Sequence, residues 1–356
     1  MNDRLAALRG CLDEWQVDGL LITSASNRRW ASGFTGSAGR LLITRDHAIL
    51  STDSRYWEQA ERQATRFELY RHRDEKDDLR NFLTRGGAKR IGIEARHVTL
   101  WERETLGKVE GVEWVPLPLT AEPLRAVKSA EELALIQAAA RITDETVAEI
   151  PRMVRPGLTE AAVAWNLEKY MREAGASSLA FDIIVASGPN SALPHHRPGD
   201  RVLEPGDIVI VDLGAALDGY KSDLTRTFFL GDTPDERFVN VYQIVYQAQQ
   251  AAIAGIRPGA TGKEIDALAR DVITAAGYGE NFGHGTGHGV GLDIHEDPRF
   301  SKFSENVVLP AGAVMTVEPG IYLPGYGGVR IEDLIVVTGE GHAYLSHAPK
   351  SPAILY

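Results

Sequence analysis

Two acidic residues, Asp212 and Asp223, have the type and spacing of metal ligands. Asp212 lies in the apolar run 208–213, which predicts a buried strand, and a two-residue turn is predicted at 218–219. In that register Gly214 faces Asp223, and Asp212 is a diagonal neighbour, about 7–8 Å away at the backbone. A buried carboxylate is costly unless it is paired or bound to metal, although a single acid here could also be satisfied by local hydrogen bonds.

A second pair of acids, Glu318 and Glu332, repeats this arrangement on longer arms. The segment 319–328 between them is predicted to be a loop centred on Gly325, with Glu318 opposite Glu332. Either acid alone could be an ordinary edge residue. Four carboxylates brought together, however, would repel one another at neutral pH unless cations lay between them, so the recurrence predicts a metal site.

The glycine-rich segment 282–296 supplies three histidines, His284, His288 and His295. Glycine at every second position from 283 to 291 argues against a helix and predicts an extended path close to another backbone. These histidines could also be ordinary loop residues. Carboxylate oxygens together with one imidazole suit Mn, Co, Fe or Zn better than Ca. Two such ions, about 3.5–4 Å apart, would activate water and polarise a carbonyl, as in aminopeptidase chemistry.

The elements that must position these residues come from an internal duplication. The motif at 155–159 returns at 257–261, and each copy opens a helical stretch. The strand segment 206–214, which holds the first acid, matches 312–320, which holds the third. Matches in the same order indicate two related half-domains, which we expect to pack about a pseudo-two-fold axis.

The first third of the chain alternates helix and strand signals, which predicts a separate α/β domain. Its predicted helices and strands are 3–16, 53–64, 20–23, 40–44, 48–51 and 91–93.

A proline-rich segment, 116–123, marks the predicted boundary between domains 1–124 and 125–356. A new helix is predicted to start at Ser129, because Glu132 completes a capping-box pattern.

Composition and charge exclude several classes of function. The 356 residues suffice for two domains, and the net charge of -11 disfavours a nucleic-acid partner. Cys11 is the only cysteine, which excludes an intramolecular disulfide and fits a reducing compartment. We expect a cytoplasmic protein without a membrane span, because the sequence has neither a signal-peptide pattern nor eighteen consecutive apolar residues. It also lacks a P-loop, a dinucleotide fingerprint and a G-x-S-x-G motif.

At the motifs quoted above the sequence resembles the creatinase/methionine aminopeptidase superfamily, the "pita-bread" metallopeptidases, and most of all their Xaa-Pro aminopeptidase and prolidase branch. The resemblance implies an α/β amino-terminal domain followed by an α+β pita-bread domain with an internal duplication. It implies two divalent ions, with Mn expected first and Co, Zn or Fe as alternatives. The implied ligands are Asp212, Asp223, His288, Glu318 and Glu332.

The same resemblance implies roles for further residues. His195, His284 and His295 match active-site histidines, and Arg330 matches an arginine that steadies the ligand carboxylates. Glu318 would also carry protons as a general base, and His195 and His295 would contact substrate. Apart from the resemblance, Arg299 lies four residues after His295 and is a candidate for binding either a substrate carboxylate or a longer peptide's backbone carbonyl, although it could equally be an ordinary surface arginine after a proline turn. From their positions near the motifs, the expected wall of a proline pocket is Phe181, Tyr322 and Tyr326.

These observations lead to an expected activity, the removal of an amino-terminal residue that precedes proline. Segments 27–39 and 52–56 look more like Xaa-Pro aminopeptidases than prolidases. A strict Xaa-Pro dipeptidase is the alternative within enzymes, and a non-catalytic peptide-binding module is the alternative outside them. The substrates would be peptides with proline in second position, and a homodimer is implied by resemblance alone.

Overall fold

The computed structural model describes residues 3–73, 77–350 and 354–355. The chain divides into two compact units, Met1–Arg125 and Ala126–Tyr356. Among the described residues, no helix combines the length and the apolar character needed to cross a bilayer.

The first unit is built on one six-stranded sheet in the order β4-β3-β2-β1-β5-β6, in which β2 alone runs antiparallel to its neighbours. The predicted α/β class is therefore confirmed. The elements of this unit are α1 (Arg4–Gly10), β1 (Gly19–Ile22), α2 (Ala25–Ser32), β2 (Arg40–Thr44), β3 (Ala48–Thr52), α3 (Trp57–Gln63), β4 (Glu68–Arg71), α4 (Asp78–Arg85), β5 (Arg90–Glu94), α5 (Leu100–Gly107), β6 (Glu113–Leu117) and, at its end, α6 (Glu122–Ala126).

Two predicted helices of this unit are shorter than expected. The helix predicted over 3–16 ends at Gly10 and gives way to turns. The helix predicted to open at Asp53 begins only at Trp57, because the Asp53 carboxylate accepts hydrogen bonds from the backbone and side chain of Arg55 and closes a local turn. Such side-chain bonds compete with helix initiation.

The second unit carries the duplication. Its elements are α7 (Ala130–Met153), α8 (Glu160–Glu173), β7 (Ser178–Leu179), β8 (Ile184–Ser187), β9 (Ile208–Leu213), β10 (Ala215–Leu217), β11 (Tyr220–Lys221), β12 (Leu224–Leu230), α9 (Glu236–Gly255), α10 (Gly262–Ala275), β13 (Gly287–Gly289), β14 (Glu296–Phe300), β15 (Val314–Val317), β16 (Gly320–Leu323), β17 (Gly327–Arg330), β18 (Asp333–Val337), β19 (His342–Tyr344) and β20 (Ile354–Leu355), with 3₁₀ turns at Gly188–Ala192 and Gly279–Asn281.

Each half of this unit, 126–230 and 231–350, places long helices against an antiparallel sheet. The neighbours β8, β9 and β12 of the first half correspond to β13, β15 and β18 of the second. The matching helices α8 and α10 follow the threonine caps Thr159 and Thr261, and each cap forms an isolated bridge, to Val202 and to Val308. The predicted duplication is confirmed.

The helices begin where their capping residues indicate. Ser129 caps α7 in a complete capping box with Glu132, as predicted, and Thr261 and Glu264 form another at α10. Such caps satisfy N–H groups that the first turn leaves free, and each contributes about 1 kcal/mol. The helices then bury one face against their sheet, with Val163 and Leu167 of α8 fully buried in the core of the first half.

Candidate metal and substrate site

The first strand pair of the site, β9 with β12, has the predicted register. Asp212 lies opposite Thr225, and Leu213 lies opposite Leu224. The chain reverses at Asp218 and Gly219, whose φ angles of 44° and 74° are those of a tight hairpin turn. This register brings Asp212 and the strand-entry residue Asp223 to the same end of the sheet.

The second strand pair, β15 with β18, also has the predicted register but differs in its connection. Val317 lies opposite Asp333, which places Glu318 and Glu332 at the adjoining positions. The prediction that 319–328 is a loop is wrong, because the segment forms the antiparallel hairpin β16–β17. Its glycines mask a strand pattern whose apolar side chains, Ile321 and Val329, are buried.

The four acids and one histidine converge in the folded chain. Ligand atoms of Asp212, Asp223 and Glu332 lie within 4.8 Å of one another. Nε2 of His288 lies 3.6 Å from Oδ2 of Asp223 and 3.3 Å from Oε1 of Glu318. Residues from both halves thus meet at one point, as the duplication requires.

The electrostatics of this cluster suit a cation. In the protein without metal, burial and the neighbouring carboxylates raise the pKa values of Asp223 and Glu332 well above their usual range. Burial also raises the pKa of Glu318 to about 7. It lowers the pKa of His288 to about 3, so the ring is neutral and able to act as a ligand.

Two buried oxygens provide an independent test of whether metal fits. Oδ1 of Asp212 and Oε1 of Glu332 have no hydrogen-bond partner within the described part of the chain. Buried polar atoms are rarely left unsatisfied, and a carboxylate oxygen aimed into a cluster of acids is an expected metal ligand. The donor set therefore fits divalent ions.

Arg330 ties the cluster to its surroundings. Its guanidinium donates to Oδ2 of Asp212 at 2.7 Å and to the hydroxyl of Tyr322 at 2.9 Å. Its Nε donates to Oγ1 of Thr225 at 3.1 Å, and this hydroxyl donates to Oε2 of Glu332 at 2.8 Å. One cation thus orients a carboxylate of each half, and Thr225 is a contact that the sequence did not reveal.

The other two histidines of the glycine-rich segment lie beside the cluster. Nε2 of His284 is 2.9 Å from the Tyr322 hydroxyl, and burial lowers the pKa of His284 to about 4. The His295 ring meets the His288 ring edge to face at a centroid distance of 4.4 Å. The pKa of His295 is lowered mainly by burial and secondly by the positive charge of Arg299.

The glycines of this segment permit a close approach of backbones, as predicted. A Cβ on Gly287 would lie 2.1 Å from the carbonyl oxygen of Thr316, and one on Gly285 would lie 2.6 Å from that of Phe300. No side chain fits at these distances, so the extended strand β13 can insert between its neighbours only because these positions are glycine.

The cluster lies at a cavity of about 520 Å³ within the second unit. Of the predicted pocket wall, Phe181 lines this cavity, whereas Tyr322 and Tyr326 are not among the lining residues. Tyr322 is buried behind it, and the Tyr326 hydroxyl donates to Asp235. The lining includes Pro194, His195, His196, Arg197, Asp212, Asp223, His284, His288, His295, Arg299, Glu318 and Arg330.

Two residues that sequence reasoning did not assign lie at the edge of this site. His196 lines the cavity, and its Nε2 lies 2.7 Å from Oε2 of Glu160, which is fully buried. The available signal was the position of Glu160 directly after the cap Thr159. This signal did not distinguish it, because an acid in the first turn of a helix is common.

Comparison with known protein families agrees with this geometry. Residues 134–339 match the model described as "Metallopeptidase family M24", and residues 4–127 match the "Creatinase/Prolidase N-terminal domain". The chain belongs to metallopeptidase family M24. It is accordingly a hydrolase of the metallopeptidase class, and the predicted resemblance is confirmed.

Relatives of this M24 member span its whole length. It is 38% identical to a Xaa-Pro dipeptidase of Pyrococcus horikoshii over 97% of both chains. A solved structure titled Xaa-Pro dipeptidase from Bacillus anthracis is 43% identical, covers 99% of both chains and has a TM-score of 0.96. An X-Pro aminopeptidase structure from Thermotoga maritima is 36% identical over 99% of both chains, with a TM-score of 0.88. These relatives confirm the predicted two-domain pita-bread class of fold.

Proposed function

We propose that this chain is a two-metal peptidase of Xaa-Pro substrates and that it prefers dipeptides. The observation that carries the proposal is the cluster of four acids and a neutral histidine beside the cavity that Arg299 lines. Expectation from the sequence favoured the aminopeptidase. Relatives named Xaa-Pro dipeptidase at 38% and 43% identity favour the alternative.

The proposed metal ligands are the five converging residues. When bound, divalent ions would lower the pKa of water and polarise the substrate carbonyl. Mn is the proposed metal, with Co, Zn or Fe compatible with the same donors. The ligands would be Asp212, Asp223, His288, Glu318 and Glu332.

Glu318 is the proposed proton carrier. Its side chain is 18% exposed and lines the cavity, so it can reach substrate, unlike the fully buried carboxylate of Glu332. A carboxylate at this position can take a proton from water and return it to the leaving proline nitrogen.

The cavity histidines and Arg330 complete the proposed machinery. His195 and His295 line the cavity and can donate hydrogen bonds to the substrate carbonyl as negative charge develops on it. His284 holds the Tyr322 hydroxyl, and Arg330 donates to both that hydroxyl and Asp212. These contacts keep the Asp212 carboxylate oriented during turnover.

Preference for a dipeptide requires a cation for the proline carboxylate. Arg299 lines the cavity, its side chain is 55% exposed, and its Nε lies 3.8 Å from Oδ1 of Asp297. A guanidinium that is so weakly paired is free to bind a carboxylate with both of its edges. Phe181 would contact the proline ring, which has no N–H to satisfy.

The deciding experiment compares kcat/KM for Ala-Pro and Ala-Pro-Ala with the Mn-loaded protein, with Ala-Ala as the control for proline selectivity. A preference for the dipeptide of tenfold or more, about 1.4 kcal/mol of transition-state binding, supports the proposal. Equal or faster cleavage of the tripeptide would establish the aminopeptidase instead. Elemental analysis of the same sample should give two ions per chain.

The aminopeptidase remains a second candidate because of one specific observation. The Thermotoga maritima structure titled X-Pro aminopeptidase matches the chain over 99% of its length. The third hypothesis, a non-catalytic binding module, is disfavoured by membership of a metallopeptidase family and by the convergence of the four acids.

We also propose three features of the protein's organisation. The proline-rich segment supports independently folding domains 1–124 and 125–356, which separate expression of the second would test. A homodimer follows from resemblance, and sedimentation of the purified chain would reveal a monomer if that is wrong. A cytoplasmic location is supported by the single cysteine, and fractionation of cells would test it.

A further inference from the structure

One buried carboxylate, that of Glu160, accepts hydrogen bonds from several residues of the loop that precedes β9, the strand that carries Asp212. Oε1 of Glu160 accepts hydrogen bonds from the backbone N–H of Ser187 at 2.8 Å, from its hydroxyl at 2.7 Å and from the side-chain amide of Asn190 at 3.0 Å. These donors lie at the end of β8 and in the turn that follows, so the carboxylate fixes the start of the loop.

The other oxygen of the same carboxylate holds the far side of the loop. Oε2 of Glu160 accepts from Nε2 of His196 at 2.7 Å and from the backbone N–H of Gly199 at 3.3 Å. Because a carboxylate only accepts, Nε2 of His196 must carry the proton of this bond. The backbone N–H of Glu160 also donates to the carbonyl of Arg201.

Glu160 remains ionised in this environment. Its side chain is fully buried, which by itself would raise its pKa. The hydrogen bonds from His196, Asn190 and Ser187 outweigh burial and hold the pKa below its usual value. A buried charge with five donors is a strong local restraint, because losing any donor leaves part of the charge unsatisfied.

His195 lies between two anchored neighbours. The carbonyl of Pro194 accepts from Nη1 of Arg330 at 3.2 Å, and the ring of His196 is bound to Glu160. Within the described residues the His195 ring itself has no hydrogen-bond partner. Its place in the cavity is therefore set by the backbone on either side of it.

We propose that the buried Glu160–His196 pair is a positioning element that holds His195 in its catalytic location. The proposal rests on the proposed function, in which His195 contacts substrate. Arg330 fixes the loop from the metal side and Glu160 fixes it from the helix side, through His196. Correct placement matters because an error of 1 Å at a reacting centre can cost about a hundredfold in rate.

The first test replaces His196 in two ways. His196→Leu removes the donor while keeping bulk, and we expect kcat for Ala-Pro to fall about tenfold, with KM within twofold and metal content unchanged. His196→Gln keeps an N–H donor at nearly the same reach and should recover most of the loss. Equal kcat in wild type and His196→Leu would overturn the proposal, as would a failure of glutamine to do better than leucine.

A double-mutant cycle separates positioning from general damage. If His196 acts through His195, then His196→Leu should have little further effect on kcat in a His195→Ala background. Independent, multiplying losses in the double variant would refute action through His195. The exposed residue His47 provides the matched control, because His47→Leu removes an imidazole far along the chain and should leave kcat unchanged.

A spectroscopic measurement tests placement without relying on turnover. The ring resonances of His195, assigned by their loss in His195→Ala, should shift or broaden in His196→Leu and return in His196→Gln. An unchanged His195 spectrum in the leucine variant would contradict the proposal. A wild-type protein that cleaves no Xaa-Pro peptide would refute the proposed function, while this spectrum still decides whether the pair positions the ring.

Discussion

The two matching helices of the second unit, α8 and α10, begin with the same backbone hydrogen bond but with different side chains, those of Glu160 and Gly262. The N–H of Glu160, first in α8, donates to the carbonyl of Arg201, and the N–H of Gly262, first in α10, donates to that of Val307, both at 3.0 Å. In the first half the Glu160 carboxylate then binds the loop 187–199 through hydrogen bonds. In the second half a Cβ on Gly262 would lie 2.0 Å from the carbonyl oxygen of Arg299, so direct backbone contact replaces the carboxylate.

The difference shows two ways of holding a substrate segment. The first half fixes 194–199 through hydrogen bonds to a buried charge, which tolerates space between helix and loop. The second half fixes 299–304 by close packing, which leaves no space. Both segments contribute side chains to the cavity, so disturbing either helix start should alter catalysis, by different physical routes.

The largest expected effect lies where the halves meet. Glu318→Gln removes a ligand charge and the proposed proton carrier, so kcat/KM should fall about a thousandfold while the fold survives. Asp212→Asn, from the other half, should be comparably damaging, because neither half alone supplies the site. Steady-state kinetics and metal analysis measure both. Glu340→Gln, at an exposed position, is the control, and near-normal activity of Glu318→Gln with full metal would refute its role.

The close packing of the second half makes Gly262→Ala the next largest change. The added methyl group must displace the Arg299 backbone, so we expect a loss of about 2–3 kcal/mol in the free energy of unfolding. KM for Ala-Pro should also rise, since Arg299 lines the cavity. Denaturant unfolding checks the first effect. Gly10→Ala, with nothing within 4 Å of the new Cβ, should not destabilise the protein, and equal behaviour of the two variants would remove the contrast between the halves.

The carboxylates of Glu160 in the first half and Glu318 in the second predict opposite pH dependences of the free energy of unfolding. Glu318 has a raised pKa, so it contributes stability below its unfolded value, about 4.5, and this is lost as pH rises through about 7. Glu160 has a lowered pKa, so its contribution is present above about 4.5 and is lost as pH falls further.

Thermal unfolding of EDTA-treated protein tests both signs. The unfolding midpoint should fall by several degrees between pH 5 and pH 8, and it should fall by less in Glu318→Gln. Added Mn should reverse this dependence of the midpoint on pH, because the ligands bind metal when they are deprotonated. Glu160→Gln should flatten the decline on the acid side. A metal-free midpoint that rises from pH 5 to pH 8 would show that the acid cluster is stabilised by something other than metal.

The smallest expected effect compares Arg299 with Arg197, the cavity-lining arginine of the loop that Glu160 holds. Arg299→Met should lower kcat/KM for Ala-Pro about tenfold by removing the cation for the proline carboxylate, and should scarcely affect Ala-Pro-amide, which lacks that charge. Arg197→Met, in the first half, should change the ratio of kcat/KM for the two substrates by less than threefold. A larger effect at Arg197 would reassign carboxylate binding to the loop that Glu160 holds.

The sequence predicted the registers of both strand pairs of the metal site because turn residues and a side-chain period of two leave little freedom. Once Asp218 and Gly219 are placed in the turn, Asp212 must face Thr225. The duplication then transfers the argument to Glu318 and Glu332. The extended path through Gly287 also followed from composition, since few structures accommodate alternating glycines.

What the sequence did not reveal depends on contacts between distant residues. Glu160 lies 36 positions before His196, and nothing in either local pattern indicates that they meet. The hairpin within 319–328 was missed because glycine suppresses the alternation that identifies a strand. Tyr326 was expected near substrate, but the hairpin carries it to a tip where it binds Asp235.

The unlike residues at 160 and 262 have a consequence for how the duplicated chain can evolve or be rebuilt. A chimera that combined the Glu160 helix start with the loop of the second half would place a glutamate where the carbonyl of Arg299 excludes even a methyl group. A chimera that combined the Gly262 helix start with the loop of the first half would leave Ser187 and Asn190 without their acceptor. The halves have become complementary, so recombination between them should yield folded protein only when each helix start is inherited together with its own loop.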